Sequence, residues 1–368
     1  MEPRRHVLGP VTVSRIGFGA MQLPGPGVFG PPRDRTAAIA VLRRAVELGV
    51  DHIDTAQYYG PGVANELIRA ALHPYPAGLA LVSKVGARRD ASGGVLRYDR
   101  PPELRQGIED NLRSLAVDHI TAVNLRLMDG APPGQYFDDQ LAAMVAARKD
   151  GLIGGIGLSN ITPAHLRRAL AITDIACVQN LLNLADRRSM PVLEECHARG
   201  IAFVPFFPLG SGFARGNPVL VSRQVADTAA RLGCTPAQVA LAWLLDLRPE
   251  VLLIPGTSSL SHLEENMAAA NIELDAEAVE PALVVVAQSF YKNWRARLDG
   301  QSTRLLRANH AFQAVEVPVG RHHVALVYQD NRFRCGLVLS LLAAVSWVIL
   351  WFRIRRSRHT TEIRAGSA

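Results

Sequence analysis

The stretch GFGAMQLPGPG, residues 17–27, decides between two α/β folds. A doubly wound Rossmann sheet carries G-x-G-x-x-G directly after its first strand, where the chain enters a helix. Gly17 and Gly19 fit the start of that pattern. Pro24 and Pro26 follow where the helix would continue, and proline is strongly unfavourable in a helix interior. The stretch therefore argues against a Rossmann sheet.

On both sides of this stretch the chain alternates between short apolar runs and longer amphipathic runs, from residue 16 to about residue 270. Runs of the first kind are predicted to be strands: IGFGAM (16–21), HIDTA (52–56), LALVSKVG (79–86), HITAVNLR (119–126), GGIGLS (154–159), IACVQN (175–180), IAFVPFF (201–207) and VLLIPGT (251–257). The intervening runs have helical periodicity. Eight βα units in about 250 residues are typical of a (β/α)8 TIM barrel, which is the predicted fold.

Helix boundaries support this interpretation. Gly49 ends the run RTAAIAVLRRAVELG, where glycine commonly stops a helix. Two further runs begin with Thr-Pro, at Thr162 and Thr235. Threonine is a good N-cap, and proline is favoured at the first helical position. The second of these runs predicts an additional helix before the last strand.

The chain has 368 residues, enough for one large domain or two ordinary ones, and a net charge of +7. The positive charge is concentrated at one end. Residues 281–368 contain 13 Lys and Arg against 4 Asp and Glu, whereas residues 1–280 are nearly neutral. Because no basic patch is interleaved with aromatic residues, nucleic-acid binding is not expected.

The cysteines are scattered and show no metal-ligand spacing, so we expect no metal site and free thiols in a reducing compartment. They are Cys177, Cys196, Cys234 and Cys335. The N-terminal MEPRRHVLGPVTVS lacks an apolar core, so no secretory signal is expected. A cytoplasmic catalytic domain over residues 1–280 is the resulting prediction.

After residue 280 the pattern changes. Asp299-Gly300 lies between two alternating stretches, and Gly320 lies between two more, which predicts two β-hairpins within residues 281–334.

Residues 335–352, CGLVLSLLAAVSWVILWF, carry no charge and are followed by a basic tail, residues 353–368. Eighteen helical residues span about 27 Å, close to the ~30 Å hydrocarbon core of a bilayer. We expect one transmembrane helix here, with a buried core helix as the alternative. Trp347 and Trp351 lie where interfacial anchors are found.

Titratable residues follow two of the predicted strands. Asp54 lies in the second predicted strand and Tyr59 follows it, and Lys84 lies near the end of the third. In a barrel these strand ends meet at the face that carries active sites. Tyr59 would then act as a proton donor, with Lys84 favouring its phenolate and Asp54 holding Lys84. The alternative is a structural Asp–Lys pair beside an ordinary tyrosine.

The motifs DTAQYYG, SKVG, GIGLSN, VQN, FPLGSG and IPGTSSLSHLEEN, in this order over residues 7 to about 275, resemble those of the aldo-keto reductases. That resemblance implies a (β/α)8 barrel that binds NADPH in an extended pose and reduces aldehydes or ketones. Tyr59, Lys84 and Asp54 would be catalytic. The implied cofactor contacts are Ser159, Asn160 and Gln179 at the carboxamide, Phe206 on the nicotinamide ring, Pro208, Leu209, Gly210 and Ser211 at the pyrophosphate, and Thr257, Ser258, His262, Glu265 and Asn266 at the adenosine end.

Two positions depart from the family pattern. Arg126 stands where the family usually has a catalytic His, and it cannot act as a neutral imidazole because it stays charged. It would stabilise an oxyanion or favour an anionic substrate group; the alternative is a structural pair with a carboxylate such as Asp129. His262 replaces an Arg that often binds the 2′-phosphate, so NADH stays an alternative to NADPH. Arg126 and KVGARRD also resemble a bacterial subgroup that reduces pyridoxal-like aldehydes.

The tail is similar to the C-terminal end of YfhO-type polytopic membrane proteins. The whole chain is therefore interpreted as a reductase held at the inner face of the membrane by a C-terminal helix. Two alternatives stay open: a nucleotide-sensing subunit of a membrane complex, and a fusion whose tail has no selected role.

Overall fold

The structure is a computed structural model that describes residues 5–210, 217–274, 277–278, 282–289, 293–308, 312–318 and 320–328. The chain divides into two compact units, Met1–Leu274 and Asp275–Ala368. The sequence pattern placed this boundary at residue 280.

The first unit is built on a parallel sheet. The strands of this unit, including those outside the parallel sheet, are β1 (Arg5–Leu8), β2 (Val11–Ser14), β3 (Phe18–Gly19), β4 (His52–Asp54), β5 (Ala80–Arg89), β6 (Val95–Tyr98), β7 (Ile120–Arg126), β8 (Ile153–Ser159), β9 (Cys177–Leu181) and β10 (Ala202–Phe206). Along the order β3-β4-β5-β7-β8-β9-β10 every pairing is parallel.

A short segment closes this sheet into a barrel. Val251 bridges to Phe203 in β10, and Leu253 bridges to Ile16 beside β3, both in parallel. The amide of Gly17 donates to the carbonyl oxygen of Leu253 at 2.8 Å. The eighth strand is thus only a few residues long, and the predicted (β/α)8 barrel is confirmed.

The glycines of the opening stretch serve this closure. A Cβ on Gly17 would lie 2.3 Å from Nε2 of His52, and a Cβ on Gly19 would lie 2.4 Å from the carbonyl oxygen of Ile254. Both distances are far below van der Waals contact. Gly17 therefore leaves room for the His52 side chain, and Gly19 allows the backbone at Ile254 to approach closely, which explains both glycines without a Rossmann fold.

Helices cover the outside of the barrel. They are α1 (Arg35–Glu47), α2 (Val63–Leu72), α3 (Pro101–Leu115), α4 (Gln135–Lys149), α5 (Pro163–Leu170), α6 (Met190–His197), α7 (Arg223–Leu232), α8 (Pro236–Leu247) and α9 (Leu260–Ala268). Thr162 and Thr235 are the N-caps of α5 and α8, as predicted. Gly49 follows α1 with a φ of +91°, also as predicted. The apolar faces of the helices and the outer face of the sheet share one continuous core.

The barrel interior holds a second, smaller core. Strands β1 and β2 pair antiparallel, and their Leu8 and Val13 pack against interior side chains such as Ala80, Ala122 and Val204. Small apolar residues thus fill the barrel from the β1–β2 side. The polar interior positions described below lie at the opposite, C-terminal ends of the strands.

The second unit contains antiparallel strands, which are β11 (Glu277–Ala278), β12 (Ala282–Ser289), β13 (Trp294–Leu298), β14 (Gln301–Thr303), β15 (Leu305–Ala308), β16 (Phe312–Val317), β17 (Gly320–Arg321) and β18 (Val324–Tyr328). β13 and β14 form the predicted hairpin around Asp299 and Gly300. Both turn residues have positive φ, at +51° and +81°, as a tight two-residue turn requires.

The second predicted hairpin is wrong. β16 pairs with β12 and β15, β18 pairs with β13, and Gly320 lies in β17, which pairs with β11. Asp299 explains part of this arrangement, because its carboxylate accepts the backbone amide of His323 at 2.8 Å and contacts Nδ1 of His322 at 2.6 Å. The chain after Gly320 is therefore tied to the first hairpin and not folded back on β16.

Within the described ranges, no helix has the length and apolar character needed to cross a membrane. The predicted transmembrane helix at 335–352 and the basic tail at 353–368 lie outside the described residues, as do Cys335 and residues 329–334.

Candidate active site

Strand alternation brings polar side chains to the C-terminal mouth of the barrel. In β5, Ala80 and Val82 face the interior, and the next position on that face is Lys84. The same step takes β9 from Cys177 to Gln179. Sequence-predicted residues that line one cavity at this mouth are Asp54, Tyr59, Lys84, Arg126, Ser159, Gln179, Phe206, Pro208, Leu209 and Gly210. Its volume is about 470 Å³.

A buried chain of polar contacts runs through the floor of this cavity. The ammonium of Lys84 donates to Oδ1 of Asp54 and, at 3.1 Å, to the carbonyl oxygen of Thr55. Nε2 of Gln179 donates to the other carboxylate oxygen of Asp54 at 2.8 Å. Only 6% of the Lys84 side chain and 5% of the Asp54 side chain are exposed. Each charge is therefore paired and held in one position.

Tyr59 lies directly above this chain. It follows β4 in a turn closed by its amide, which donates to the carbonyl oxygen of Ala56 at 3.0 Å. The ammonium of Lys84 is 5.1 Å from the centroid of the Tyr59 ring. The structure thus brings together the three residues that the sequence assigned to acid–base chemistry.

The pKa of Tyr59 differs from the expected direction. Burial raises it strongly, because the phenolate loses its hydration, and the carboxylate of Asp54 raises it further. Arg126 and Arg89 act in the opposite direction but do not outweigh burial. The hydroxyl therefore keeps its proton at neutral pH, which suits a proton donor.

Arg126 ends β7 and lines the cavity. The predicted alternative, a pair with Asp129, is not formed, because Asp129 pairs with Arg97. Nη1 of Arg126 lies 2.5 Å from the sulfur of Met128, and a thioether is only a weak acceptor. Among the described residues no carboxylate pairs with this guanidinium.

The loop after β10 is held in shape by two asparagines. Asn183 donates to the carbonyl oxygen of Phe207 at 3.0 Å, and Asn217 donates to that of Leu209 at 2.6 Å. Gly210 has a φ of +85°, and a Cβ there would lie 2.3 Å from Oδ1 of Asn217. The loop is therefore preformed beside Phe206. Ser211, predicted in the same group, lies outside the described residues.

The remaining predicted residues do not line the cavity. Asn160 has a φ of +62°, and its side chain donates to the carbonyl oxygen of Leu127 at 3.0 Å. Thr257 is buried, and its hydroxyl accepts the amide of Ser259 at 3.0 Å. The structure thus gives both residues local backbone contacts.

The predicted adenosine residues cluster on or just before α9. Ser258 and His262 are exposed, and Asn266 is buried. The carboxylate of Glu265 accepts the hydroxyl of Thr235, the N-cap of α8. These residues belong to one segment of the chain, and none of them lines the cavity.

Sequence reasoning missed four polar residues of the cavity, which are Gln22, Tyr58, Arg89 and Asn217. Arg89 is the last residue of β5 and pairs with Val95 in β6, an antiparallel strand that was not predicted. Gly86 has a φ of +106°, so the simple alternation of side chains that places Lys84 does not extend to Arg89. The motif DTAQYYG assigned proton donation to Tyr59 and gave no role to its neighbour Tyr58.

Comparisons with known proteins agree with this geometry. The model of the Aldo/keto reductase family matches residues 15–281. Over 282 residues the chain is 49% identical to pyridoxine 4-dehydrogenase of Escherichia coli, which covers 76% of this chain and 97% of the relative.

Two solved structures from Klebsiella pneumoniae are also similar. One is an aldo/keto reductase in complex with NADP and acetate, with 26% identity, a TM-score of 0.62, and coverage of 74% of this chain and 91% of that one. The other is an aldo-keto reductase in complex with NADPH, with 26% identity, a TM-score of 0.63, and coverage of 74% and 92%.

Proposed function

Because this chain belongs to the aldo/keto reductase family, we propose that it reduces an aldehyde or ketone to the alcohol with NADPH. The observation that carries the proposal is the buried chain Tyr59–Lys84–Asp54 at the mouth of the barrel. NADPH, when bound, supplies the hydride for the carbonyl carbon. Tyr59 donates its hydroxyl proton to the carbonyl oxygen, which completes the alcohol.

The other polar residues assist this proton transfer. Lys84 stabilises the phenolate left on Tyr59, and Asp54 keeps the ammonium in place. Arg126 stabilises negative charge on the carbonyl oxygen, since no described carboxylate neutralises it. The raised pKa of Tyr59 ensures that the proton is present before the reaction begins.

The cavity has features that suit a nicotinamide ring. Oε1 of Gln179 is buried without a hydrogen-bond partner among the described residues, and such an acceptor fits a carboxamide N–H. Ser159 lies beside it on the neighbouring strand, and Phe206 offers an aromatic face. Asn160 would complete the carboxamide contacts after a rotation of its side chain.

The phosphates and the adenosine would lie further along the same face. Pro208, Leu209, Gly210 and Ser211 would surround the pyrophosphate, and Thr257, Ser258, Glu265 and Asn266 the adenosine. His262 is exposed and would contact a 2′-phosphate less strongly than an arginine. NADPH is the proposed cofactor because similar solved structures hold NADP or NADPH, and the weaker contact of His262 is the reason to measure NADH beside it.

Pyridoxal-like aldehydes are the proposed substrates. The support is the 49% identity to an Escherichia coli protein named pyridoxine 4-dehydrogenase. No observation favours the alternative of a nucleotide-sensing subunit over a catalyst.

The test is NADPH oxidation by the full chain with pyridoxal and a panel of simple aldehydes. Tyr59→Phe should lower kcat by about a hundredfold or more, as expected when a general acid is removed, while NADPH binding is retained. Tyr136→Phe is the matched control, because Tyr136 is exposed and donates to Asp99 outside the cavity. Tight NADPH binding without turnover of any aldehyde would contradict the proposal and favour the sensing alternative.

A further inference from the structure

Two buried hydrogen-bond donors among the residues that line the cavity have no acceptor in the described part of the chain. Oη of Tyr58 and Nε of Arg89 are both buried and without a partner. Tyr58 is only 6% exposed. Elsewhere on the same side chain, Nη1 of Arg89 donates to the carbonyl oxygen of Gly93 at 2.5 Å. A buried donor without an acceptor costs free energy, so both groups suit a partner that arrives with a ligand.

The charges of the cavity point to the sign of that ligand. The charge of Lys84 is neutralised by Asp54. Arg89 and Arg126 line the same cavity, and among the described residues neither has a carboxylate partner. The cavity thus carries an excess of positive charge beside Tyr58, and arginine offers only donors.

Neighbouring arginines show that this arrangement is specific to Arg89. Arg88 is exposed and lies over the ring of Tyr98, 5.5 Å from its centroid. Arg97, on the paired strand β6, forms ion pairs with Asp99 and Asp129. Within this β5–β6 hairpin, therefore, Arg89 is the one that faces the cavity without a neutralising carboxylate or a stacked ring.

We propose that Arg89 and Tyr58 bind an anionic group of the substrate, a carboxylate or a phosphate, separate from the carbonyl that is reduced. The guanidinium of Arg89 donates to the anion through Nε, and Tyr58 donates through its hydroxyl. The inference rests on the proposed reductase function, and among the proposed aldehyde substrates it favours those that carry a carboxylate or a phosphate in addition to the carbonyl. Arg126 adds to the positive field while it faces the carbonyl oxygen.

A pair of matched aldehydes tests this inference on the full chain. In 4-formylbenzoate the aldehyde carries a carboxylate, and in its methyl ester that group is neutral. The wild-type protein should prefer the carboxylate in kcat/KM. Arg89→Met should reduce this preference by about tenfold or more, mainly through KM, as expected for the loss of a charge-assisted hydrogen bond. Arg89→Lys should keep part of the preference, and Tyr58→Phe should lower it by a smaller factor.

Arg88→Met is the matched control, and its preference should equal that of the wild type. The inference is overturned if the wild type shows no preference for the carboxylate, or if Arg88→Met and Arg89→Met change the preference equally. Binding of terephthalate, measured by calorimetry with and without Arg89→Met, separates the two proposals. If the protein binds terephthalate only when Arg89 is present but turns over no aldehyde, the anion site is supported and the reductase function is refuted.

Discussion

Tyr58 and Tyr59 are adjacent in the chain and both are buried, but their surroundings give them different chemistry. The ring of Tyr59 lies over Lys84, which is fixed by Asp54. The hydroxyl of Tyr58 is buried without a described partner. These surroundings support the proposed roles of Tyr59 in proton transfer and of Tyr58 in binding, although the two residues are consecutive in the chain.

Both tyrosines should make stability sensitive to alkaline pH. Burial raises the pKa of each hydroxyl in the folded state. Such a tyrosine contributes its full stabilisation below its pKa in the unfolded chain, about 10. This stabilisation is lost as the pH rises towards the higher pKa of the folded state. We expect the free energy of unfolding to fall above about pH 10, by up to about 1.4 kcal/mol per pH unit for each tyrosine. Urea unfolding of Tyr58→Phe should show a shallower fall, whereas Tyr136→Phe should follow the wild type.

Arg126 should contribute to catalysis through its charge. Arg126→Ala is expected to lower kcat at least about tenfold, which corresponds to roughly 1.4 kcal/mol of activation free energy. Arg97→Ala removes a guanidinium that is half exposed and already paired, and it should leave kcat within about twofold. The measurement is kcat of the two variants and the wild type in steady-state kinetics with a neutral aldehyde. An unchanged kcat in folded Arg126→Ala would refute the catalytic role.

At the scale of the elements, the ends of strands are where the sequence was least informative. The apolar run 79–86 predicted a strand that stops near Gly86, but β5 continues to Arg89 and pairs with β6. The continuation depends on partners across the hairpin, and these are not visible in a local pattern. By contrast, Lys84 was placed correctly because alternation within one strand fixes which residues face the barrel interior.

The closure of the barrel between β3 and the eighth strand should depend on Gly19. A Cβ at this position would meet the carbonyl oxygen of Ile254 at 2.4 Å, and backbone cannot move aside cheaply. Gly19→Ala should therefore lower the free energy of unfolding by about 1–3 kcal/mol. Gly130→Ala, where no atom lies within 4 Å of the added Cβ, should change it by less than about 0.5 kcal/mol. Equal values from urea unfolding of the two variants would contradict this account.

At the scale of the whole molecule, the two units differ in how far the sequence could predict them. The barrel follows from a regular alternation of strands and helices, so its fold was predictable, as was the meeting of Asp54, Tyr59 and Lys84 at one end of the strands. The predicted adenosine contacts came from family resemblance and do not line the cavity, so their role stays a prediction. In the second unit, one hairpin was predicted from the local turn at Gly300. The other failed because β16 pairs with the preceding strand β15 and the more distant β12, whereas β18 pairs with the distant β13.

The last residues of the chain carry a prediction that the sequence alone supports. Residues 335–352 contain no charged side chain and a basic run follows, so we expect the full chain to sediment with membranes and to be released by detergent but not by salt. The basic run after the helix favours the cytoplasmic side of the membrane, which would place the reductase, on the other side of the helix, outside the cytosol. Arg332 and Arg334 lie on the reductase side of the helix and would offset this preference. A chain lacking residues 335–368 should remain in the supernatant with kcat unchanged, because every described residue that lines the cavity precedes residue 257. Recovery of the full chain in the supernatant would refute the anchor.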